Sequence, residues 1–322
     1  MMNAYTRTSR SLFVLGMLLL SGTAFADAEV PPSGAVVVRP AKAEATLLPG
    51  EEKRVMIRVG NGTPSPIHVE ASFEDVAPNT QTSARDNPVK LLEGTKGVYS
   101  LKELLDIPDA SFDVLTGKEV EVPVTIRIPK DAEPGGRYGS VVFRFSSIAH
   151  SGSGGANVAL ESRIAALLYV RIAGEVKEEG KLVAFGLFNN AKTTMSPSLD
   201  APLRIQVAYE NTGAVHLNPY GRITLHSFFG GMFGETHILP IDPWAVLPGA
   251  TRMREIDMTE PLAPGYYRLH LEENRGYKDI VDEQEVSFWV LPSRGAAGIG
   301  IIFFLILLLI IRKSLRLSRH SV

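Results

Sequence analysis

Ten residues constrain the fold most tightly. Between positions 119 and 128, Val120, Val122, Val124, Ile126 and Ile128 alternate with Glu119, Glu121, Pro123, Thr125 and Arg127. A strict period of two buries one face of a strand and wets the other. Pro123 has no N–H to give a ladder, so this strand is expected at a sheet edge or with a bulge. Weaker patterns of the same kind lie at 54–59, 67–73, 138–145, 160–172, 203–209, 222–228, 266–271 and 286–291. Pro49-Gly50, Asn61-Gly62, Pro134-Gly135-Gly136, Asn211-Thr212-Gly213, Pro248-Gly249 and Pro264-Gly265 punctuate them as turns. Short strands at this spacing argue for β-sandwiches. The one soluble helix expected is a short turn over 100–105, with Ser100 as N-cap and Glu103 three residues on.

A faint echo divides the body. Leu48-Pro49-Gly50 before Lys53-Arg54-Val55 resembles Leu247-Pro248-Gly249 before Arg252-Met253-Arg254. Glu133-Pro134-Gly135-Gly136-Arg137-Tyr138 resembles Ala263-Pro264-Gly265-Tyr266-Tyr267-Arg268. The expectation is an all-β chain of two tandem immunoglobulin-like β-sandwiches, 31–174 and 175–292, divided at the polar stretch 174–180. The Gly/Ser run 151–155 reads as a loop inside the first sandwich, because strand patterns flank it closely.

Both ends carry an address. Arg7 and Arg10, the apolar run 12–20 and Ala24-Phe25-Ala26 form a secretory signal over 1–26, with cleavage before Asp27. The apolar stretch 296–311 precedes Arg312, Lys313, Arg316 and Arg319. It is expected to be a C-terminal transmembrane α-helix, leaving a basic cytoplasmic tail at 312–322. The localisation expected is therefore the cytoplasmic membrane, single-pass, with the bulk of the chain outside.

Without signal and tail, 27 basic face 35 acidic side chains, a net of −8 that excludes nucleic acid as a partner. The chain has no cysteine, so an exported fold must rely on its cores.

No nucleophile elbow, phosphate loop or zinc-protease motif is present, and no enzyme activity, catalytic residue or cofactor is expected. His216, His226 and His237 could converge on a metal across strands, but scattered histidines are the commoner case and no metal site is assigned. Glu70, Glu74 and Asp75 read as a solvated strand end. Ser227-Phe228-Phe229-Gly230-Gly231-Met232-Phe233-Gly234 is an apolar hairpin tip that either tucks into the sandwich end or meets a partner. Phe228, Phe229, Met232 and Phe233 are the candidate partner-contact residues. Leu291-Pro292-Ser293-Arg294-Gly295 resembles a sortase signal, with Arg294 where the acyl-bearing Thr would stand.

The whole order of parts resembles bacterial WxL-interacting-type surface proteins. The resemblance rests on Leu48-Pro49-Gly50, Asn61-Gly62, the segment from Ile128-Pro129 through Pro134-Gly135-Gly136 to Ser140, Asn211 to Gly221, and Val246 to Arg252. It implies a first domain that binds peptidoglycan, the cell-wall polymer, and a second that faces other surface or envelope proteins. The alternative is a tethered assembly chaperone similar to two-domain pilus chaperones, with contact by strand addition at a sheet edge. A third class, an envelope hydrolase, would need a carboxylate pair about 5–10 Å apart in a cleft.

Overall fold

A computed structural model describes residues 34–79, 89–147, 162–189, 192–193, 203–229, 236–258, 262–290 and 294–318. The expected signal over 1–26 and the 151–155 loop lie outside them, as do residues 291–293 of the sortase-like motif. The chain is mostly β, in four sheets that pack as two sandwiches.

In the first sandwich, one sheet runs β1 (Val36–Arg39), β3 (Glu52–Asn61), β8 (Glu119–Arg127), β6 (Leu105–Asp106). The other runs β2 (Lys42–Leu47), β10 (Ser162–Ile172), β9 (Gly135–Ser147), β4 (Ile67–Pro78), β5 (Val89–Leu91), with β7 (Ser111–Val114) also on β4. The chain crosses from β1 to β2, one sheet to the other, at a cis Arg39–Pro40 peptide. Val122, Val124 and Ile126 of β8 face Val69, Val141, Phe143 and Leu168 across the core. The alternation of β8 thus does what its period requires. Pro123 pairs with Met56 of β3, while β6 reaches only Thr125 and Ile126. The proline therefore sits on a stretch with one neighbour among the described residues, where its missing N–H breaks no ladder.

In the second sandwich, β12 (Lys192–Thr193), β11 (Gly180–Asn189), β13 (Leu203–Asn211) and β16 (Thr251–Met258) form one sheet. The other is β15 (Thr236–Ile241), β14 (Tyr220–Phe229), β17 (Gly265–Asn274), β18 (Val281–Val290). Tyr209, Ile223, Leu225, Trp244, Leu269 and Phe288 fill their core.

Two expectations are corrected. The first is the turn over 100–105, which is a 3-10 helix over Lys102–Leu104; Leu101 stands at its N-cap and its side chain makes no capping bond. Ser100 instead bridges Tyr138. The reason is Asp75, fully buried at the end of β4 rather than on a solvated strand end. Its Oδ1 accepts the N–H groups of Leu101 and Lys102, each at 3.0 Å, and its Oδ2 accepts that of Gly97 at 3.0 Å. A carboxylate distant in sequence thus does the capping. Burial alone would raise its pKa, but the Gly97 N–H, the Ser100 side chain and the Lys102 and Leu101 N–H groups together outweigh it and hold the group below the usual range.

The second correction is the anchor. The C-terminal helix α1 (Arg294–Ser318) exists, yet among the described residues no helix is long and apolar enough to cross a membrane. Its uninterrupted apolar run, 296–311, covers about 24 Å at ~1.5 Å per residue, against roughly 30 Å of hydrocarbon. Cations at 294 and 312 bound it. A transmembrane helix, a membrane partner and a single-pass location are not supported.

Candidate functional site

The two sandwiches meet in a cleft with its own small core: Val76, Val89, Tyr138 and Tyr169 from the first, Ala245 and Leu247 from the second. Strand pleat selects these residues. In β9, Val141, Phe143 and Phe145 face the sandwich core, so Tyr138 stands on the outer face. In β10, Leu168, Val170 and Ile172 face inward, and Tyr169 stands outward beside Tyr138, ring centroids 5.3 Å apart. The Tyr138 hydroxyl accepts the backbone N–H of His216 at 2.6 Å, and Gly136 N–H donates to Ala214 O at 3.0 Å. Burial pushes the Tyr138 hydroxyl pKa far up and Tyr169 up to about 12, so both stay neutral.

Charges rim this contact. Glu44 of β2 lies 2.6 Å from Lys42, 3.1 Å from the Asn218 amide donor and 3.5 Å from His216 Nε2. Its carboxyl is lowered to about 2, first by the His216 hydrogen bond and then, against opposing burial, by Lys42. Arg252 of β16 stacks over Trp244 at 5.5 Å and donates to Ala245 O at 2.6 Å. Burial pulls its pKa down.

The same sheet presents a free edge. All of β10 pairs with β9, from Ser162↔Phe145 to Ile172↔Gly135. On the other side β2 covers only Leu167 to Ile172, in parallel. The first five residues of β10, Ser162 to Ala166, therefore have one strand neighbour among the described residues. The direction of the spare groups is set by Leu167, whose N–H donates to Ala41 O at 2.9 Å on the β2 side. Backbone groups alternate sides along a strand, so the N–H and C=O of Arg163 and Ala165 face the open side. Ile164 and Ala166 turn their side chains into the core. On the outer face of the sheet, over β9, β4 and β5 and so across β10 from the open side, Glu74, Leu91, Glu93, Gly94, Val142, Arg144 and Arg163 line a hollow of about 350 Å³, spanned by an Arg163–Glu93 ion pair of 3.1 Å.

Both edges of one sheet in the second sandwich are guarded. The outermost strand β18 exposes Glu283, Gln284 and Glu285, and β15 carries Pro240. Charge and proline at an edge oppose pairing with another chain.

The expected contact residues are placed elsewhere. Phe228, half exposed, is on the outer face of β14, 5.6 Å from Tyr266, which is 5.0 Å from Trp289. Arg268 lies over the Phe228 ring at 5.1 Å. Phe229 ends β14, and its side chain lies outside what the structure describes, as do Met232 and Phe233 entirely. Of the three histidines weighed for a metal, His216 is in the cleft, His226 on β14 and His237 on β15. Among the described residues no three His, Cys, Asp or Glu are placed to hold a metal. Sequence reasoning missed Glu44, Tyr138, Tyr169 and Arg252. Tyr138 and Tyr169 fall inside strand patterns, where only the pleat phase marks them as outward.

No family model matches the chain, and no curated protein matches it. Solved structures match it at low similarity. The class 5 fimbriae chaperone CfaA is 11% identical, covering 80% of this chain and 100% of its own, at a TM-score of 0.35. The YadV chaperone is 10% identical, covering 79% and 99%, also at 0.35. A CsuC–CsuE chaperone–tip adhesion subunit pre-assembly complex from Acinetobacter baumannii is 10% identical, covering 81% and 100%, at 0.35. At these values they assign neither family nor activity.

Proposed function

We propose that this chain binds another polypeptide by strand addition at the open half of β10, and serves that partner as a two-domain assembly chaperone or scaffold. One observation carries the reading: among the described residues, Arg163 and Ala165 present backbone donors and acceptors to no strand, on an edge without proline and flanked by core-facing Ile164 and Ala166. An extended partner satisfies those groups with its own backbone, and alternate side chains then select it.

Ala165→Pro tests this. The substitution removes an N–H that faces the open side and no bond to β9, so the sandwich keeps its ladder. Used as bait, the full-length wild type is expected to retain a partner that the Ala165→Pro chain releases. Equal retention by both sinks the proposal.

A second reading, contact with cell-wall polymer, puts it on the second sandwich instead of the first domain that the WxL-interacting-type resemblance implies: the Phe228 and Trp289 rings are half exposed with the half-buried Tyr266 between them, and aromatic faces suit stacking on sugar. It predicts that the chain pellets with purified sacculi and that Trp289→Ala does not.

A further inference from the structure

His68 of β4 meets two residues of β7 in a constellation that no local motif shows. Phe112 and Val114 of β7 face the sandwich core, so Ser111 and Asp113 stand on the outer face, both exposed. Val69 faces the same core and leaves its neighbour His68 outward. The antiparallel register sets His68 opposite Asp113, and Glu70 opposite Ser111. His68 Nδ1 lies 2.6 Å from Asp113 Oδ1, and its Nε2 lies 3.2 Å from Ser111 Oγ. A carboxylate only accepts, so Nδ1 carries the ring proton and Nε2 accepts the Ser111 hydroxyl.

The backbone supplies donors beside the serine. Ala71 N–H donates to Ala110 O at 2.7 Å, which makes that pair a bonded rung. Rungs alternate along an antiparallel pair, so the N–H groups of Ser111 and Asp113 point away from β4. On that side β7 has no strand neighbour among the described residues.

We propose that Ser111, His68 and Asp113 are a catalytic triad on the edge of the first sandwich, and that it hydrolyses uncharged or cationic carboxylic esters. Ser111 Oγ attacks the ester carbonyl carbon while its proton passes to His68 Nε2. Asp113 holds the ring in the required tautomer and stabilises the imidazolium. The outward N–H of Ser111 donates to the oxyanion. The bond to the leaving oxygen breaks, and Nε2 returns the proton to it as the alcohol departs. Water then repeats the cycle on the acyl group: its proton goes to Nε2, the carbonyl–Oγ bond breaks, Oγ regains a proton and the acid leaves. Glu70 across from Ser111, and Asp109 two residues before it, are exposed acids that repel anionic esters. The site lies beyond β9 and β4 from β10, so it stands whether or not β10 adds a strand.

The full-length chain is to be treated with an uncharged alkyl fluorophosphonate, which phosphonylates an activated serine and releases fluoride. Peptide mass spectrometry then locates the adduct, and p-nitrophenyl acetate reports turnover. An adduct on Ser111 is expected, together with p-nitrophenol release that falls in Ser111→Ala. His68→Gln and Asp113→Asn, both on the wetted face, should each slow labelling of Ser111 about 100-fold. Circular dichroism checks that every variant keeps its strands. The triad is overturned if Ser111 takes no adduct, if His68→Gln labels as fast as the parent, or if release is undiminished in Ser111→Ala.

Discussion

At the scale of single residues, the polar groups hidden in the two sandwiches do the specifying. Asn61 and Asn211, both fully buried, make the same set of bonds. Asn61 Nδ2 donates to Ser65 O and Val114 O, and its Oδ1 accepts Thr63 N–H. Asn211 Nδ2 donates to Val215 O and Val246 O, and its Oδ1 accepts Gly213 N–H. Asn61→Ala and Asn211→Ala are each expected to cost about 2–3 kcal/mol in urea unfolding, and to add in the double variant because separate cores hold them. Glu273 differs: fully buried, its Oε1 accepts Trp244 N–H at 3.2 Å and its Oε2 has no partner. Burial raises it to about 7, with Asp282 adding to the shift and Trp244 working against it. The unfolded chain ionises this group near 4.5, so stability falls as pH rises from there to about 7 and is flat above. The total loss is up to about 3 kcal/mol. Glu273→Gln should flatten that slope in melts taken across the same range; an unchanged slope would place the titration elsewhere.

At the scale of elements, strands are legible in the sequence and edges are not. The period of two in β8 survives into the fold, because it records which side chains meet the core. Whether a strand has one neighbour or two depends on chain from elsewhere. The pattern over 160–172 therefore locates β10 but cannot show that β2 stops opposite Leu167. The echo of Leu48-Pro49-Gly50 in Leu247-Pro248-Gly249 misleads for the same reason. The structural counterpart of the second turn is Leu115-Thr116-Gly117. Gly117, φ +73°, donates to Asn61 O as Gly249, φ +71°, donates to Asn211 O. Gly50 instead donates to Pro129 O. Only the paired asparagines reveal that equivalence. The 3-10 turn at Lys102–Leu104 escapes a local reading because its cap, Asp75, is distant in sequence. In the cleft, outward Tyr138 and Tyr169 are readable from pleat phase, but their meeting with His216 depends on how the sandwiches dock.

At the scale of the whole molecule, two cores are joined by a third of six buried side chains. Leu247, 4% exposed, belongs to that third core. Leu247→Asp places an unpaired carboxylate there, and calorimetry should resolve one wild-type transition into two. A variant that still melts in one step would show that the contact does not couple the sandwiches. Helix α1 comes after the second sandwich and is not long and apolar enough to cross a membrane; the proposed function rests on the open edge of β10. The most direct test is amide hydrogen exchange along β10, in the free chain and with a captured partner. Arg163 and Ala165 are predicted to exchange fast when free, to exchange faster than Ile164 with its bond to β9, and to become protected in the complex. Protection of Arg163 and Ala165 in the free chain, or none in the complex, would contradict strand addition at this edge.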